Sequence, residues 1–257
     1  MLAALPESPL FYAAAIPAVI LVGLSKGGFA GLATLSLPLL ALVSPPIRAA
    51  AIMLPILIVQ DMVSVWFYRR EFDSRVVAIL LSGSLIGIAG GALFAAHVSN
   101  AAVLLIVGAI ASGFVLYSWL RKGAQAREPR PAQTTPGIFW GACLGFTSFI
   151  ANAGSPPFQV YVLPLRLKPQ IYAGVQTMVF TAVNLIKLAA FFALGQVSTE
   201  NFAISASLFP IAIAATFFGV WLVRRVDAAW FYKFIYAMTF AIGLKLIWDG
   251  ARGVGLF

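Results

Sequence analysis

Charged side chains are scarce in this chain: of its 257 residues, 10% are charged and 61% are hydrophobic. Soluble domains carry about 25% charged residues, so the composition excludes an ordinary soluble protein and predicts one that crosses a membrane several times. Cysteine and histidine occur once each, which excludes an internal disulfide and argues against a zinc site. No Walker loop, HExxH motif or nucleophile–histidine arrangement is present, so we expect no enzyme, cofactor or metal.

The few charges are mainly positive, with a net charge of +9. They lie in short loops between apolar segments, where basic residues orient a membrane protein. A nucleic acid partner is therefore not expected. The expected partners are the lipid bilayer and a small anionic substrate, and formation of a homo-oligomer is left open.

The apolar residues form ten segments, and a membrane crossing needs about 20 apolar residues. The third, fourth, fifth, eighth, ninth and tenth segments are long enough. The other four form two adjacent pairs, Leu10–Leu24 with Phe29–Val43 and Gly137–Ile150 with Phe158–Leu165. Each pair predicts a hairpin of short helices with its tip inside the membrane.

A polar break separates the two segments of each pair, Ser25–Gly28 in the first and Asn152–Pro157 in the second. Irregular backbone at membrane depth is tolerated only where it is buried in protein or lines a cavity. Corresponding breaks in two halves of a chain are typical of the binding site of a transporter. We therefore predict that the two tips meet near the middle of the bilayer.

The halves align as repeats, with Gly28 and Gly154 corresponding at a spacing of 126 residues and Pro45 and Pro169 at 124. The predicted fold is an all-α membrane protein of two inverted repeats, each a broken, short-helix hairpin plus three transmembrane helices. The first repeat covers residues 1–121, a basic cytoplasmic linker covers 122–136, and the second repeat covers 137–257.

Loop charges favour the inverted arrangement. With three crossings after each hairpin, eleven lysines and arginines share one side of the membrane, which the positive-inside rule assigns to the cytoplasm. Both termini are then outside. The eleven residues are Arg69, Arg70, Arg75, Arg121, Lys122, Arg127, Arg130, Arg166, Lys168, Arg224 and Arg225.

Lys26 is the most informative residue of the first break. A lysine within a membrane costs about 2.5–3.5 kcal/mol on insertion scales, so it needs a partner or a function. Gly27 and Gly28 allow a tight turn and could present backbone N–H groups to an anion beside the ammonium group. The alternative is that Lys26 reaches the membrane surface.

The second break supplies Asn152, Gly154 and Ser155 as the opposing tip, with Gln159 one turn further on. Prolines in the first turn of the following helix are expected to leave free N–H groups aimed at the tip. The alternative is a structural cap satisfied within its own hairpin.

Asp61 is the one acidic residue deep inside a predicted span, and Gln60 precedes it. Lys187 occupies the matching span of the second half, where Gln176 and Asn184 lie one to three turns earlier. Asp61 and Lys187 either form an ion pair joining the halves, or act separately in coupling and in anion binding. Two lysines against one aspartate within the predicted membrane segments favour an anionic substrate.

Five stretches resemble the sulfite exporter family named after TauE and SafE: Gly23–Phe29, Leu37–Leu39, Thr147–Pro157, Tyr161–Pro164 and Val183–Lys187. The resemblance implies a secondary transporter of the bacterial inner membrane that exports sulfite, sulfonates such as sulfoacetate, or related anions.

Together these observations predict an oxyanion site built from both tips and from the eighth segment, with Asp61 and Gln60 coupling export to the proton gradient. The alternatives are a channel, a cation carrier centred on Asp61, or a membrane scaffold without transport. The predicted substrate-binding residues are Lys26, Gly27, Gly28, Asn152, Gly154, Ser155, Gln159, Gln176, Asn184 and Lys187.

Overall fold

The computed structural model describes residues 8–29, 31–44, 46–94, 97–120, 129–193 and 199–255, and a few side chains within these ranges, including that of Lys187, lie outside the description. The described residues form helices and no strand. The helices are α1 Pro9–Gly27, α2 Ser36–Ala41, α3 Pro46–Tyr68, α4 Ser74–Phe94, α5 Asn100–Leu120, α6 Thr134–Ala151, α7 Ser155–Val162, α8 Pro169–Ala193, α9 Thr199–Arg225 and α10 Ala228–Gly253.

Five of these helices are long and apolar enough to cross a membrane: α1, α4, α5, α9 and α10. α3 and α8 are of similar length, 23 and 25 residues, but carry the polar side chains discussed below. The protein is thus an all-helical, multi-pass membrane protein, as predicted.

Each hairpin has one long arm and one short arm, whereas two short arms were predicted. α1 has 19 residues and α6 has 18, while the returning helices α2 and α7 have 6 and 8. α1 continues through Ser25 and Lys26 because lysine is a good helix former and its charge has a partner within the protein. It ends where Gly28 adopts a φ of 132°, which glycine adopts without steric penalty.

The described residues of the predicted basic loops lie at one end of the molecule, which we call the basic end; residues 121–128 lie outside the description. Arg224 at the end of α9 donates to Glu71 in the α3–α4 loop at 3.0 Å. The backbone N–H of Arg130 donates to Pro164 O at 3.2 Å. Arg48, near the start of α3, bonds Asn201 near the start of α9 at the opposite end. These contacts agree with the predicted distribution of charge; the side of the membrane that each end faces remains a prediction.

Close helix crossings organise the bundle, and small residues make them possible. α1 packs along α9, α6 along α4, and α5 along α10. A Cβ atom placed on Gly23 would lie 2.8 Å from the backbone of Ala215, and one on Gly87 would lie 2.7 Å from that of Phe146. These glycines therefore allow the backbones of neighbouring helices to approach closely.

The pairing of helices is the one expected if the halves are repeats. In that alignment α1 corresponds to α6 and α9 to α4, so the α1–α9 pair becomes the α6–α4 pair when the halves are exchanged. The α5–α10 and α3–α8 pairs each map onto themselves. This pattern supports the predicted relation between the halves, and the inversion and the domain limits remain predictions.

Candidate functional site

Lys26 lies in the last turn of α1 and is buried, with 7% of its surface exposed. Its ammonium group is 2.5 Å from Asp61 Oδ1 on α3, and Asp61 is 3% exposed. A buried lysine is costly unless it is paired. The partner of Lys26 is thus Asp61, and the alternative in which its charge reaches the membrane surface is wrong.

Asp61 also accepts hydrogen bonds from α8. Thr181 Oγ1 donates to Oδ1 at 3.1 Å, and Asn184 Nδ2 donates to Oδ2 at 2.9 Å. Two neutral donors and one cation therefore share this carboxylate, and they come from both halves of the chain. We call Lys26, Asp61, Thr181 and Asn184 the charge cluster.

The side chain of Lys187 lies outside the described residues, and the predicted Asp61–Lys187 pair stays a prediction. Lys187 belongs to α8, three residues after Asn184. Its role stays a prediction. The charge cluster accounts for Asp61 by itself.

Glycines of the first tip close α1 and do not offer their N–H groups to a ligand in this conformation. The N–H of Gly28 donates to Ser25 O at 3.1 Å, and that of Phe29 to Leu24 O at 3.2 Å. This is the Schellman pattern of a helix end. Gly27 is needed for packing, because a Cβ atom there would lie 2.7 Å from Val220 N on α9. Both glycines therefore have a structural role in this conformation, and their contact with an anion stays a prediction.

Asn152 ends the long helix of the second hairpin, as Gly28 ends that of the first. It closes α6 with a φ of 51°, in the left-handed region that asparagine tolerates better than most residues, and it is exposed. The residue that corresponds to Gly28 is thus Asn152, at a spacing of 124, and not Gly154 as the sequence alignment had it. The structural alternative for Asn152 is the one supported.

Gly154 and Ser155 lead into α7 and lie close to α6. A Cβ atom on Gly154 would be 3.0 Å from Ser148 Cβ, so this glycine allows the chain to fold back on its own hairpin. Ser155 is the first residue of α7 and is followed by Pro156 and Pro157, which have no N–H group. The first turn of α7 therefore offers fewer donors than predicted.

The long arms end toward opposite ends of the molecule. Gly27 lies against Gly219 of α9, six residues or about 9 Å before the basic end of that helix. Phe149 of α6 lies against Gly91, three residues before the opposite end of α4. These contacts place Lys26 and Asn152 toward opposite ends of the bundle and do not support the predicted meeting of the two tips.

The hairpins meet instead through Gly31 and Gln159. A Cβ atom on Gly31, just beyond the first tip, would lie 3.6 Å from Gln159 Nε2 on α7. Gln159 is completely buried. The contact between the hairpins thus involves the start of the returning segment of the first and the short helix of the second.

Two further predicted residues, Gln60 and Gln176, join helices through their side-chain amides. Gln60 Nε2 donates to Val19 O of α1 at 3.1 Å and to Ala212 O of α9 at 3.3 Å. Gln176 Nε2 donates to Ser25 O at 2.7 Å, which ties α8 to the end of α1. The Oε1 atoms of both are buried without a partner among the described residues, so each can still accept a hydrogen bond.

Thr181, Ser64 and Tyr68 belong to this region and were missed from the sequence. Ser64 Oγ donates to Lys26 O at 3.2 Å, and Tyr68 OH donates to Gly27 O at 2.5 Å. These bonds occupy carbonyl groups that the end of α1 leaves free. Spacing could have revealed them: Ser64 and Tyr68 follow Asp61 by one and two turns on one face of α3, and Thr181 precedes Asn184 by one turn on α8.

The arrangement suits an exchange of anions on Lys26. The cluster is neutral as it stands, and separating its charges would leave a buried, unpaired ion at a cost of several kcal/mol. An anion that replaced Asp61 on Lys26 would keep the ammonium group paired. Among the described residues, no group of metal-binding side chains is present.

The chain was compared with known proteins and with known protein families. No match was found among curated proteins or among solved structures. The sulfite exporter TauE/SafE family matches residues 15–246. This match covers both hairpins, the charge cluster and nearly all of the helical bundle. The chain therefore belongs to the sulfite exporter TauE/SafE family, whose members are membrane transporters of sulfite and related anions and not enzymes.

Proposed function

We propose that this protein exports small sulfur oxyanions, such as sulfite or sulfoacetate, across the bacterial inner membrane, and that the anion binds Lys26 in place of Asp61. The observation that carries this proposal is the buried Lys26–Asp61 pair at 2.5 Å, located at the broken end of α1. Intramembrane ion pairs are costly and mark ion or substrate pathways.

Asn184 and Thr181 are the neutral donors nearest the exchanged position. They donate to Asp61 in this conformation and would donate to the oxygen atoms of the anion when it replaces the carboxylate. Gln159 and Gln176, buried where the hairpins and α1 meet α7 and α8, are the proposed walls of the pathway. Lys187 is the proposed second cation that raises the affinity for anions.

Charge balance leads to a coupling mechanism. A singly charged anion on Lys26 leaves Asp61 as a second negative charge unless that carboxylate is protonated. Because an unpaired buried charge costs several kcal/mol, the favoured loaded state contains the anion and a proton on Asp61. One anion and one proton then move together, without net charge. Export proceeds when the outward anion gradient exceeds the inward proton gradient.

Flux measurements in proteoliposomes test both parts. The wild-type protein should show saturable counterflow of labelled sulfite that is insensitive to an imposed membrane potential. Lys26→Met should abolish it. Asp61→Asn should retain counterflow but make net flux depend on the potential, because the anion then moves without its proton.

Lys245→Met is the matched control. Lys245 also pairs with an aspartate, Asp249, one turn away on α10, but about a third of its side chain is exposed. This variant should transport as the wild type does. Unchanged affinity and flux in Lys26→Met would contradict the proposed site, and flux without saturation or counterflow would favour a channel.

A further inference from the structure

A cavity of about 470 Å³ lies between α4, α5 and α6 and is separate from the charge cluster. Its rim includes Ile86, Ile106 and Phe139, whose side chains are all more than half exposed, so the cavity opens on the outer surface of the bundle. α4 and α5 are both membrane-spanning helices. The opening therefore faces the hydrocarbon of the bilayer.

The walls are almost entirely apolar. Thr147 supplies the one hydroxyl group of the lining, and that group already donates within the protein, to Cys143 O at 2.7 Å. A buried water molecule needs two to four polar partners, and apolar cavities without them stay dry. Water is therefore a poor occupant of this cavity.

An empty cavity is equally unfavourable. A cavity of ~150 Å³ lined by apolar side chains already binds a small hydrocarbon such as benzene, and this one is about three times larger. Unfilled walls forfeit dispersion contacts. In a bilayer, the material at the opening is lipid acyl chain.

We propose that the cavity is a binding site for one lipid acyl chain. The floor of the cavity includes Pro157, in the first turn of α7, and Thr147, whose hydroxyl also donates to Ala153 O at 3.1 Å. A chain bound there packs directly on the second hairpin. This inference does not depend on the identity of the transported anion.

Gly90 provides a precise way to close the site. It lines the cavity, and a Cβ atom placed on it meets nothing within 4 Å. Gly90→Leu should therefore fill the cavity without disturbing helix packing. Gly113→Leu on α5 is the matched control, because a Cβ atom there also meets nothing within 4 Å and Gly113 is outside the lining.

Photo-crosslinking of the full chain in phospholipid vesicles tests the proposal, with a fatty acid that carries a diazirine in the middle of its chain as the probe. The wild type and Gly113→Leu should be labelled saturably at Cys143, Phe146 and Ile106. Gly90→Leu should lose this labelling while keeping labels on its other lipid-facing surfaces.

Two results would overturn the proposal. Labelling of the cavity residues that persists in Gly90→Leu would mean that the probe reports general contact with the bilayer. Disulfide crosslinking of two copies through Cys143, the single cysteine of the chain, would mean that a second copy covers the cavity instead. Gel filtration of each variant in detergent establishes that it is folded before labelling.

Discussion

The two hairpins share a backbone design and differ in charge. Each long arm ends at a residue with positive φ, Gly28 in the first and Asn152 in the second. At the same spacing of 124 residues, Lys26 corresponds to Ile150 and Asp61 to Leu185. The repeated backbone therefore builds the bundle, while the charge pair, formed between α1 and α3, belongs to the first half of the chain. The candidate site is thus asymmetric even though the scaffold is repeated.

The largest expected effect comes from separating the two charges of the Lys26–Asp61 pair. Asp61→Leu leaves Lys26 buried without its ion partner, and Lys26→Met does the same to Asp61, so each variant should lose about 3–5 kcal/mol of stability. The double variant, Lys26→Met with Asp61→Leu, leaves no unpaired buried charge and should recover most of that loss. Thermal unfolding in one fixed detergent measures all three proteins.

The double variant should be folded and yet inactive in sulfite counterflow. Its recovered stability would then show that the loss of transport is not caused by unfolding. Leu185→Asp is the reciprocal change in the second half. It introduces an acid at a position that is exposed on α8, and we expect it to leave the Lys26–Asp61 pair intact. A double variant that transports normally would show that the asymmetry has no role in transport.

A smaller loss is expected from α8, which supplies the neutral donors of the charge cluster. Thr181→Val removes the hydroxyl that donates to Asp61, and a hydrogen bond to a charged group contributes about 1.5–3 kcal/mol. Thr177→Val, one turn earlier, is the matched control. Thr177 Oγ1 is buried without a partner among the described residues, so this change should be neutral or stabilising.

Equal losses in the two threonine variants would contradict the hydrogen bond assigned to Thr181. The diagnostic readout is the affinity for sulfite in counterflow, measured beside thermal unfolding. Thr181→Val should weaken it, because the same hydroxyl is the proposed donor to the bound anion, whereas Thr177→Val should not.

The sequence predicted the helical membrane fold and the two breaks, and it identified Lys26 and Asp61 as residues that need a partner or a function. These features depend on composition, on local helix breakers and on the high cost of a buried charge, all of which can be read along the chain. The partner of Lys26 could not be read in this way. From the sequence, Asp61 could pair with Lys26 in the first half or with Lys187 in the second. Only the packing of α1 against α3 shows that Lys26 is a partner.

The position along the bundle at which each long helix ends could not be predicted from the sequence either. Serine and glycine beside Lys26 suggested that α1 stops at Leu24, yet the helix continues to Gly27 because the glycines let it pack closely on α9. That extension moves the first tip toward the basic end. Asn152 and Gly154 were likewise assigned to a ligand, because a residue that ends a helix and one that binds an anion look alike in sequence.

The hairpins should also differ in their tolerance of a methyl group. A Cβ atom at Gly27 meets the backbone of Gly219 and Val220, which cannot move aside, whereas one at Gly154 meets the Cβ atom of Ser148 at 3.0 Å and Leu144 O at 3.2 Å. Gly27→Ala should therefore lose about 1–3 kcal/mol through overpacking, and Gly154→Ala should lose less. Thermal unfolding of both variants decides this, and a larger loss at Gly154 would contradict the packing described for α1.

The smallest effect is expected at Asn152, where the second hairpin has its left-handed residue. Asn152→Gly keeps the positive φ without a side chain, so the helix end should be unchanged or more stable by a few tenths of a kcal/mol. Sulfite counterflow should stay at the wild-type level, because this exposed residue lies near the end of the bundle opposite to that of Lys26. Asn152→Val would strain the backbone, since a β-branched residue rarely adopts this φ, and should be less stable. Loss of transport in Asn152→Gly without loss of stability would mean that its amide contacts the anion, and the second hairpin would then share the site.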